Sequence, residues 1–577
     1  MLKLSTDLTV EQLLAFQWRD LELYYQELQK VTLHEGNIED WLEGWSNLDK
    51  AIVEVDNRRY AATTQDTTDQ KAKEALVNFL NTIKVNVQIY DQQLTEKLLN
   101  SGIMPSNFQM GLLSLRTKAA LYTKRNLNLL NDQYVAATEY DEITGSQTVE
   151  WDGEEKTVTE LQPLLLSNDR SKREAVWRAS MQRQLDDRDK INALWRRLLE
   201  MRNRIAINAG LSNYREYRWL ELYRFAYTPE NALQFHDSIE KVFVPAVSKL
   251  MHQHKRRLGV RKLRPWDLLV ESLTDKPLVP YSDPDEMEEK AINVFHKIHP
   301  DFGRAYRHMR ENGLLDLHNR NNKAPGGYTL EFPISGEPFS LLNCVGLHSD
   351  LMGVLHEGGH SMHFYDILNG GKVKYYQEFE SPVEFAEVAA MGTELLALPH
   401  MVSNDGDPSG GSFYSPEDHR IAEIQAFRAI LTFIPFMSVV DLFQHWAYTN
   451  VSLASDPANC DAKWAELWDR FLPDADWKGF EDFKATGWHR KIHIFSDPFY
   501  YIEYGLAQMG ALQVWQNAQR DQAAAVNALR RAFMLGGTVG LKQLFNAADT
   551  DMIFEVEPMQ ALIDTVMARM DELTSDE

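Results

Sequence analysis

Three residues near the middle of the sequence have the types and the spacing of a zinc site. They are His356, Glu357 and His360, which form an H-E-x-x-H pattern. On an α-helix this spacing places the two imidazoles one turn apart on one face, where both can reach a single zinc ion. The glutamate beside the first histidine can serve as a general base toward water that the metal activates. A surface helix with scattered histidines is the alternative, and the flanking residues weigh against it.

The residues around this pattern indicate a helix that serves a site. Asp350 has the type expected of an N-cap, and it is followed by the apolar residues Leu351, Met352, Val354 and Leu355. Gly358 and Gly359 lie between the histidines, although each glycine costs a helix about 1 kcal/mol relative to alanine. Our hypothesis is that these glycines let another segment or the substrate come close to the helix. His363, one turn past His360, either touches the site or packs against the next helix.

A third zinc ligand is expected among the carboxylates that follow, because a catalytic zinc usually takes three protein ligands and leaves one position open. Ser381 as N-cap, Pro382 at the first position and Glu384 completing a capping box predict the start of a second helix. Glu387, one turn further along, is the predicted ligand, and Glu384 is its rival. Glu394, two turns beyond Glu387, is a candidate to orient a ligating histidine.

A hydrogen-bond donor for the reaction is expected in the segment His493–Tyr504. Attack of metal-activated water on a polarised carbonyl generates a tetrahedral oxyanion, which needs a donor besides the metal. Pro498 at the first helical position predicts a helix on which Tyr500 or Tyr501 shares a face with Tyr504. A phenol is a neutral donor at pH 7 and suits this role. The alternative is an aromatic helix face buried in a core.

The elements that position these residues are predicted to be mainly helical. Apolar residues repeat every three or four positions along Leu14–Leu28 and along Leu76–Leu94, and Gly102 ends the second helix. A chain of 577 residues exceeds one ordinary domain. We therefore expect a helical amino-terminal lobe over residues 1–200 and a catalytic domain over residues 201–577.

Two short hairpins interrupt the predicted helices. Asp152-Gly153 lies between two alternating runs and predicts a hairpin over residues 148–158. A second hairpin is predicted over residues 326–343, with Gly336 in its turn, immediately before the H-E-x-x-H helix. A strand in that place can bind an extended peptide through main-chain hydrogen bonds, or it can simply pack the helix.

Composition narrows the class of protein further. The chain has 60 Lys and Arg against 84 Asp and Glu, and its formal net charge of −24 argues against nucleic acid or an anionic membrane as partner. Its two cysteines, Cys344 and Cys460, are too few for a disulfide framework. No signal-peptide pattern is present at the amino terminus, and the longest near-apolar run is too short to span a bilayer. We expect a cytoplasmic protein.

Three segments together resemble the M3 family of zinc metallopeptidases, and most closely its oligoendopeptidase F-like branch. They are His356–His363, Phe385–Ala390 and His493–Tyr504. The resemblance implies a mainly α, two-lobed helical zincin with a deep substrate channel and a small β-hairpin or sheet next to the H-E-x-x-H helix. Relatives of the thimet type have a further tyrosine shortly after the histidine that His493 matches. Here Ile494–Asp497 takes its place, so the alignment up to Tyr500 is less certain than at Tyr504.

Position by position, the resemblance assigns seven residues: zinc ligands His356, His360 and Glu387, general base Glu357, and carbonyl-stabilising His493, Tyr501 and Tyr504. The expected protein is a zinc endopeptidase with one Zn²⁺ per chain that hydrolyses internal bonds of short unstructured peptides. One alternative is a zinc carboxypeptidase of similar fold, which would need a cationic pocket for the terminal carboxylate. The other is a non-catalytic, zinc-containing peptide-binding protein, which would have no use for Glu357.

Overall fold

A computed structural model describes residues 2–274, 278–320, 322–324, 326–402 and 412–575. The chain divides into two compact units, each assembled from three separate stretches. Unit 1 comprises Met1–Ala119, Leu278–His419 and Ala507–Met552, and unit 2 comprises Ala120–Pro277, Arg420–Leu506 and Ile553–Glu577. The boundary expected at residue 200 stays a prediction. Residues 404–412 are rich in Gly, Ser, Asp and Pro and predict a loop, which lies outside the described residues except for Ser412.

Helices dominate the described residues, which confirms the mainly α prediction. The helices are α1 Val10–Leu14, α2 Trp18–Lys30, α3 Ile38–Gln65, α4 Gln70–Phe79, α5 Val85–Ser101, α6 Gln109–Leu121, α7 Leu127–Gly145, α8 Arg170–Asp186, α9 Arg188–Asn208, α10 Tyr214–Glu221, α11 Pro229–Arg257, α12 Pro284–Ile298, α13 Pro300–Glu311, α14 His348–Gly370, α15 Val383–Ala397, α16 Pro416–Thr449, α17 Val451–Ala454, α18 Pro457–Phe471, α19 Glu481–Ala485, α20 Ile492–Phe495, α21 Tyr501–Ala518, α22 Gln522–Phe533, α23 Leu541–Ala547 and α24 Val556–Leu573. The strands are β1 Thr148–Trp151, β2 Glu154–Thr157, β3 Leu315–His318, β4 Tyr328–Phe332 and β5 Glu337–Cys344.

The amino-terminal helices of unit 1 form an apolar core, as their spacing predicts. The stripe along Leu14–Leu28 is divided between α1 and α2. Leu21, Tyr25 and Leu28 on α2 are buried in a core shared with α3 and α5, whereas Trp18 is partly buried and Leu14 is exposed. The second stripe runs through α4 and α5, which a single π-helical turn at Leu80–Lys84 joins. Gly102 ends α5 in the left-handed conformation with φ 69°, the C-terminal geometry that glycine favours.

Both predicted hairpins form. In unit 2, β1 and β2 pair antiparallel around Asp152 and Gly153, whose φ angles of 53° and 82° give the tight turn. In unit 1, β4 and β5 pair antiparallel with Gly336 in the turn at φ 71°. A third strand, β3, pairs parallel to β5 and completes a sheet of order β3-β5-β4. The short alternation of β3 was missed in the sequence.

The H-E-x-x-H helix, α14, is buried along most of its length in unit 1. It begins at His348, three residues earlier than an Asp350 N-cap would require. Asp350 lies in the first turn instead, and its carboxylate accepts hydrogen bonds from the backbone N–H groups of Val345 (2.7 Å) and Leu347 (2.9 Å) and from the Tyr281 hydroxyl. The N-cap prediction was therefore wrong in position, although the acid still closes the amino-terminal end of the helix.

Among the described helices, α16 alone is long and apolar enough to cross a membrane by length and composition. Within its most apolar window, 61 % of the residues are buried inside the protein. Burial of this extent is typical of a core helix, whose apolar residues pack against other parts of the chain.

Candidate active site

Three predicted residues converge in unit 1. Ligand atoms of His356, His360 and Glu387 all lie within 4.8 Å of one another. The Nε2 atom of His356 is 3.5 Å from an oxygen of Glu387, and the two imidazole rings lie 4.9 Å apart at a near-perpendicular angle. The histidines come from α14 and the carboxylate from α15, two helices that pack directly on each other.

This donor set fits zinc. Two imidazole nitrogens and one carboxylate oxygen are the protein ligands of many catalytic zinc sites. Glu394, two helical turns beyond Glu387 on α15, accepts a hydrogen bond of 2.7 Å from Nδ1 of His356. A carboxylate in this place fixes the tautomer of the imidazole and leaves Nε2 facing the other ligands. Glu394 therefore lies where the sequence predicted an orienting acid.

The same contacts set the charge of the two histidines. Burial alone would lower the pKa of His356, but Glu394, Glu387 and Glu357 more than offset it and raise the pKa to about 9. The pKa of His360 is held well below its usual value by burial and by the neighbouring His356 and His363. The three carboxylates thus favour the protonated form of His356, which must release a proton to bind a metal, whereas burial favours the neutral form of His360.

Glu357 is the acid that the proposed chemistry would use as a base. Its side chain is 9 % exposed, and one of its oxygens accepts a hydrogen bond of 2.7 Å from the Thr329 hydroxyl on β4. Burial raises the pKa of Glu357, while His356 and the Thr329 hydrogen bond oppose that rise. A carboxylate with a raised pKa is better matched to taking up a proton near neutral pH.

Glu384, the rival ligand, is buried but is not part of the group formed by His356, His360 and Glu387. Helix α15 begins at Val383 with Pro382 as its N-cap, one residue later than the predicted Ser381, and Pro382 makes no side-chain cap bond. The Ser381 hydroxyl lies 3.2 Å from Nε2 of His363 instead. Glu387 rather than Glu384 thus lies beside the two histidines, and its role as a ligand stays a prediction, whereas the predicted N-cap position was wrong by one residue.

His363 belongs to the packing around the site. Its ring lies 4.7 Å from that of Phe533 and edge-on to Phe385, and burial lowers its pKa to about 4. Its hydrogen-bond partner is Ser381 rather than a ligand of the candidate centre. Of the two alternatives left open by the sequence, the structure favours the packed histidine.

The glycines between the histidines are explained by close approach. A Cβ on Gly358 would lie 2.2 Å from the Phe295 ring of α12, and a Cβ on Gly359 would lie 2.7 Å from Cα of Ala390 and 2.9 Å from the Ala389 carbonyl oxygen of α15. The second contact is with backbone, which cannot rotate away. Glycine at 359 therefore sets the separation of the two helices that carry the three ligands.

We expect Gly359→Ala to destabilise the fold and to weaken metal binding. Overpacking of this kind typically costs about 1–3 kcal/mol, and relief of the contact would move α15, and Glu387 with it, away from α14. Denaturant unfolding and a metal titration check the two effects. Gly145→Ala is the control, because no atom lies within 4 Å of the added Cβ. Wild-type stability and metal affinity in Gly359→Ala would contradict the close-approach explanation.

The predicted tyrosines and His493 lie together in unit 2. The His493 ring is 4.7 Å from the Tyr501 ring and 6.2 Å from the Tyr504 ring, and Tyr500 and Tyr504 lie 5.2 Å apart. Tyr501 is only 4 % exposed and packs against Phe433, whereas Tyr500 and Tyr504 are half-buried. Burial lowers the pKa of His493 to about 4, so the imidazole is neutral at pH 7.

The helix that carries these tyrosines begins later than predicted. It starts at Tyr501 rather than at Pro498, because Phe499 has a φ of 66° and cannot continue a right-handed helix. This conformation costs a bulky residue about 1–3 kcal/mol. It is held by Gln444, whose side-chain oxygen accepts from the Phe499 N–H at 2.8 Å, and by the buried Arg224, which donates to the Phe499 carbonyl.

Two other groups of metal-type ligands occur among the described residues. The fully buried His236, Asp441 and His445 of unit 2 form a hydrogen-bonded set, in which Asp441 accepts from His236 at 2.7 Å and lies 3.1 Å from His445. The Ser438 hydroxyl and Arg215 contact the outer nitrogens of these imidazoles. The third group, Asp283, Asp285 and His318, is exposed.

Comparison with known proteins now identifies the family. The sequence pattern of peptidase family M3 matches residues 164–562. The chain belongs to peptidase family M3. Members of this family are metal-dependent peptidases, typically with zinc, so this chain is a metallopeptidase that acts on peptides. Among curated proteins, the search finds no match for the sequence.

Solved structures share the fold of this M3 peptidase over nearly its whole length. PZ peptidase A with an inhibitor is 23 % identical with a TM-score of 0.85, and the match covers 99 % of this chain and 98 % of that one. A Bacillus anthracis str. Ames protein whose structure is described as that of an oligoendopeptidase F is 22 % identical with a TM-score of 0.81, and the match covers 96 % of each chain. Oligoendopeptidase-F from Enterococcus faecium is 14 % identical with a TM-score of 0.63, covering 97 % and 98 %.

Proposed function

We propose that this M3 peptidase is a zinc endopeptidase that hydrolyses internal bonds of short unstructured peptides. The observation that carries the proposal is the convergence of His356, His360 and Glu387, with Glu357 one residue from the first ligand. A structural zinc site usually closes with four protein ligands, whereas three ligands leave a position open for chemistry. The proposed location is cytoplasmic, supported by two free, buried cysteines.

Each residue at the centre has a separate proposed role. His356, His360 and Glu387 would hold the zinc, and Glu394 orients His356 through its Nδ1. When bound, zinc would supply Lewis-acid chemistry that activates water and polarises a carbonyl. Glu357 accepts a proton from the attacking water and returns it to the nitrogen of the leaving amine. The Thr329 contact and the burial of Glu357 support this assignment.

Stabilisation of the oxyanion is assigned to Tyr504, with His493 or Tyr501 as a second donor. This part of the proposal rests on the family resemblance of the segment His493–Tyr504. The half-buried position of Tyr504 supports it, whereas Tyr501 is enclosed by aromatic rings. His493 is kept neutral by burial and can donate without carrying a charge.

Tyr504→Phe is expected to lower kcat by about 100- to 1000-fold, the usual loss for one oxyanion donor. Removal of the hydroxyl deletes the donor and leaves the ring in its place. Steady-state cleavage of a fluorogenic peptide, with zinc content measured in parallel, checks the prediction. Tyr134→Phe serves as control because this tyrosine is 70 % exposed. An unchanged kcat in Tyr504→Phe would remove Tyr504 from the mechanism.

A peptide with an acetylated amino terminus and an amidated carboxyl terminus separates the candidate functions. An endopeptidase cuts it at internal bonds, and a zinc chelator stops the reaction until zinc is restored. A carboxypeptidase spares it, because no free terminal carboxylate is present, and releases single residues from the unblocked peptide. A non-catalytic protein binds the peptide and leaves it intact. Mass spectrometry of the products distinguishes the three outcomes.

A further inference from the structure

We propose that Thr329 is a positioning residue that holds the Glu357 carboxylate in the orientation needed for proton transfer. The Thr329 hydroxyl lies 2.7 Å from one oxygen of Glu357. The residue is on β4, outside the H-E-x-x-H helix and 28 positions earlier in the chain. The inference deepens the proposed function and rests on Glu357 being the general base.

The Thr329 hydroxyl has two acceptors on Glu357, a carboxylate oxygen at 2.7 Å and the backbone carbonyl oxygen at 3.2 Å. An ionised carboxylate only accepts and is the nearer and more strongly charged of the two, so the Thr329 O–H donates to it. The Ser340 hydroxyl, 2.9 Å from the Thr329 oxygen, is then the donor toward Thr329. The Ser361 hydroxyl donates to the Glu357 carbonyl oxygen at 3.0 Å. Ser340 and Ser361 are 2 % and 0 % exposed, so water does not compete for their hydroxyls, whereas Thr329 is only partly buried.

The backbone on both sides of the contact is fixed. Thr329 is directly opposite Ser340 in the antiparallel pairing of β4 with β5. Glu357 lies in the interior of α14, which packs on β5. A threonine has a stiff χ1 angle, because two heavy atoms branch from its Cβ. The Thr329 hydroxyl on the sheet and the Glu357 backbone on the helix therefore both have little freedom to move.

This arrangement matters because glutamate is a flexible side chain. With one oxygen of Glu357 held by Thr329, the rotation of the carboxylate is restrained and the other oxygen is left to exchange a proton. A general base must lie within hydrogen-bond reach of the proton that it takes. Loss of the donor lets the carboxylate rotate away, and loss of such a partner typically reduces activity by about 10- to 100-fold.

The test compares Thr329→Val, Thr329→Ala and Thr329→Ser. Valine and alanine are expected to lower kcat by about 10- to 100-fold with KM and zinc content unchanged, and serine to restore most of the rate because it keeps the hydroxyl. In a Glu357→Gln background, Thr329→Val is expected to add no further loss. Crystal structures of the zinc-loaded variants should show the Glu357 side chain in more than one rotamer for valine and in one for serine.

Two results would overturn the inference. One is wild-type kcat in both Thr329→Val and Thr329→Ala. The other is an equal loss in the three variants accompanied by zinc release or a lower Tm, which would indicate a structural role. Failure of the proposed function can be told apart from failure of this inference. Full activity of Glu357→Gln would contradict the role of Glu357 as general base, independently of the results for the Thr329 variants. Loss in Glu357→Gln together with full activity in Thr329→Val would contradict only the role of Thr329.

Discussion

Glu357→Gln is expected to retain zinc and to lose about 100- to 10,000-fold in kcat, the range that general acid–base catalysis contributes. Glutamine has nearly the same shape as glutamate and can keep the hydrogen bond that Glu357 accepts from Thr329. It cannot accept and return a proton near neutral pH. Fluorogenic peptide cleavage and elemental analysis on the same preparation measure the two properties separately.

The control for this variant is Glu311→Gln, an exposed residue of α13 in unit 1. We expect it to match wild type in both rate and zinc content. Undiminished turnover in Glu357→Gln would contradict the role of the base. Loss of zinc from Glu357→Gln would instead make Glu357 a metal ligand and would require another residue to move the proton.

Glu387→Ala is expected to lose zinc, and activity with it. The carboxylate oxygen 3.5 Å from Nε2 of His356 supplies one of three donors, and two imidazoles alone leave the site incomplete. Its removal should weaken zinc binding by more than the roughly 10- to 100-fold that is typical for loss of an outer partner. A competition titration with a chromogenic zinc chelator measures the affinity.

Two neighbours on α15 serve as matched controls for Glu387. Glu384→Ala is expected to keep zinc and to lose stability, because Glu384 is buried outside the ligand group. Glu394→Ala is expected to show an intermediate loss of about 10- to 100-fold in zinc affinity, since it removes the acceptor for His356. Zinc loss from Glu384→Ala with zinc retained in Glu387→Ala would transfer the ligand role to Glu384.

Much of the candidate centre could be predicted because helical spacing is a local property. H-E-x-x-H fixes the relation of His356 to His360, and the spacing from Glu387 to Glu394 places an orienting acid two turns along. Gly358 and Gly359 were also noticeable in the sequence, because glycine is unfavourable inside a helix. Their reason, contact with Phe295 and with the backbone of α15, depends on packing between helices and needed the structure.

The features that were missed depend on contacts between distant parts of the sequence. Thr329 lies on a strand whose alternation was visible, but its alignment with Glu357 follows from packing of the sheet on α14. Pro498 predicted a helix start that Phe499 prevents. The two residues that hold Phe499 are distant in the sequence, since Arg224 lies in the loop after α10 and Gln444 on α16. Local propensity could not indicate either arrangement, because tertiary contacts override it.

Zinc anomalous diffraction from crystals of the purified protein tests the central claim most directly. We predict one strong peak at about 2.0–2.2 Å from a nitrogen of each of His356 and His360 and from an oxygen of Glu387, the distances that zinc takes to these ligands. A strong peak at His236, Asp441 and His445 instead, with none between α14 and α15, would contradict it.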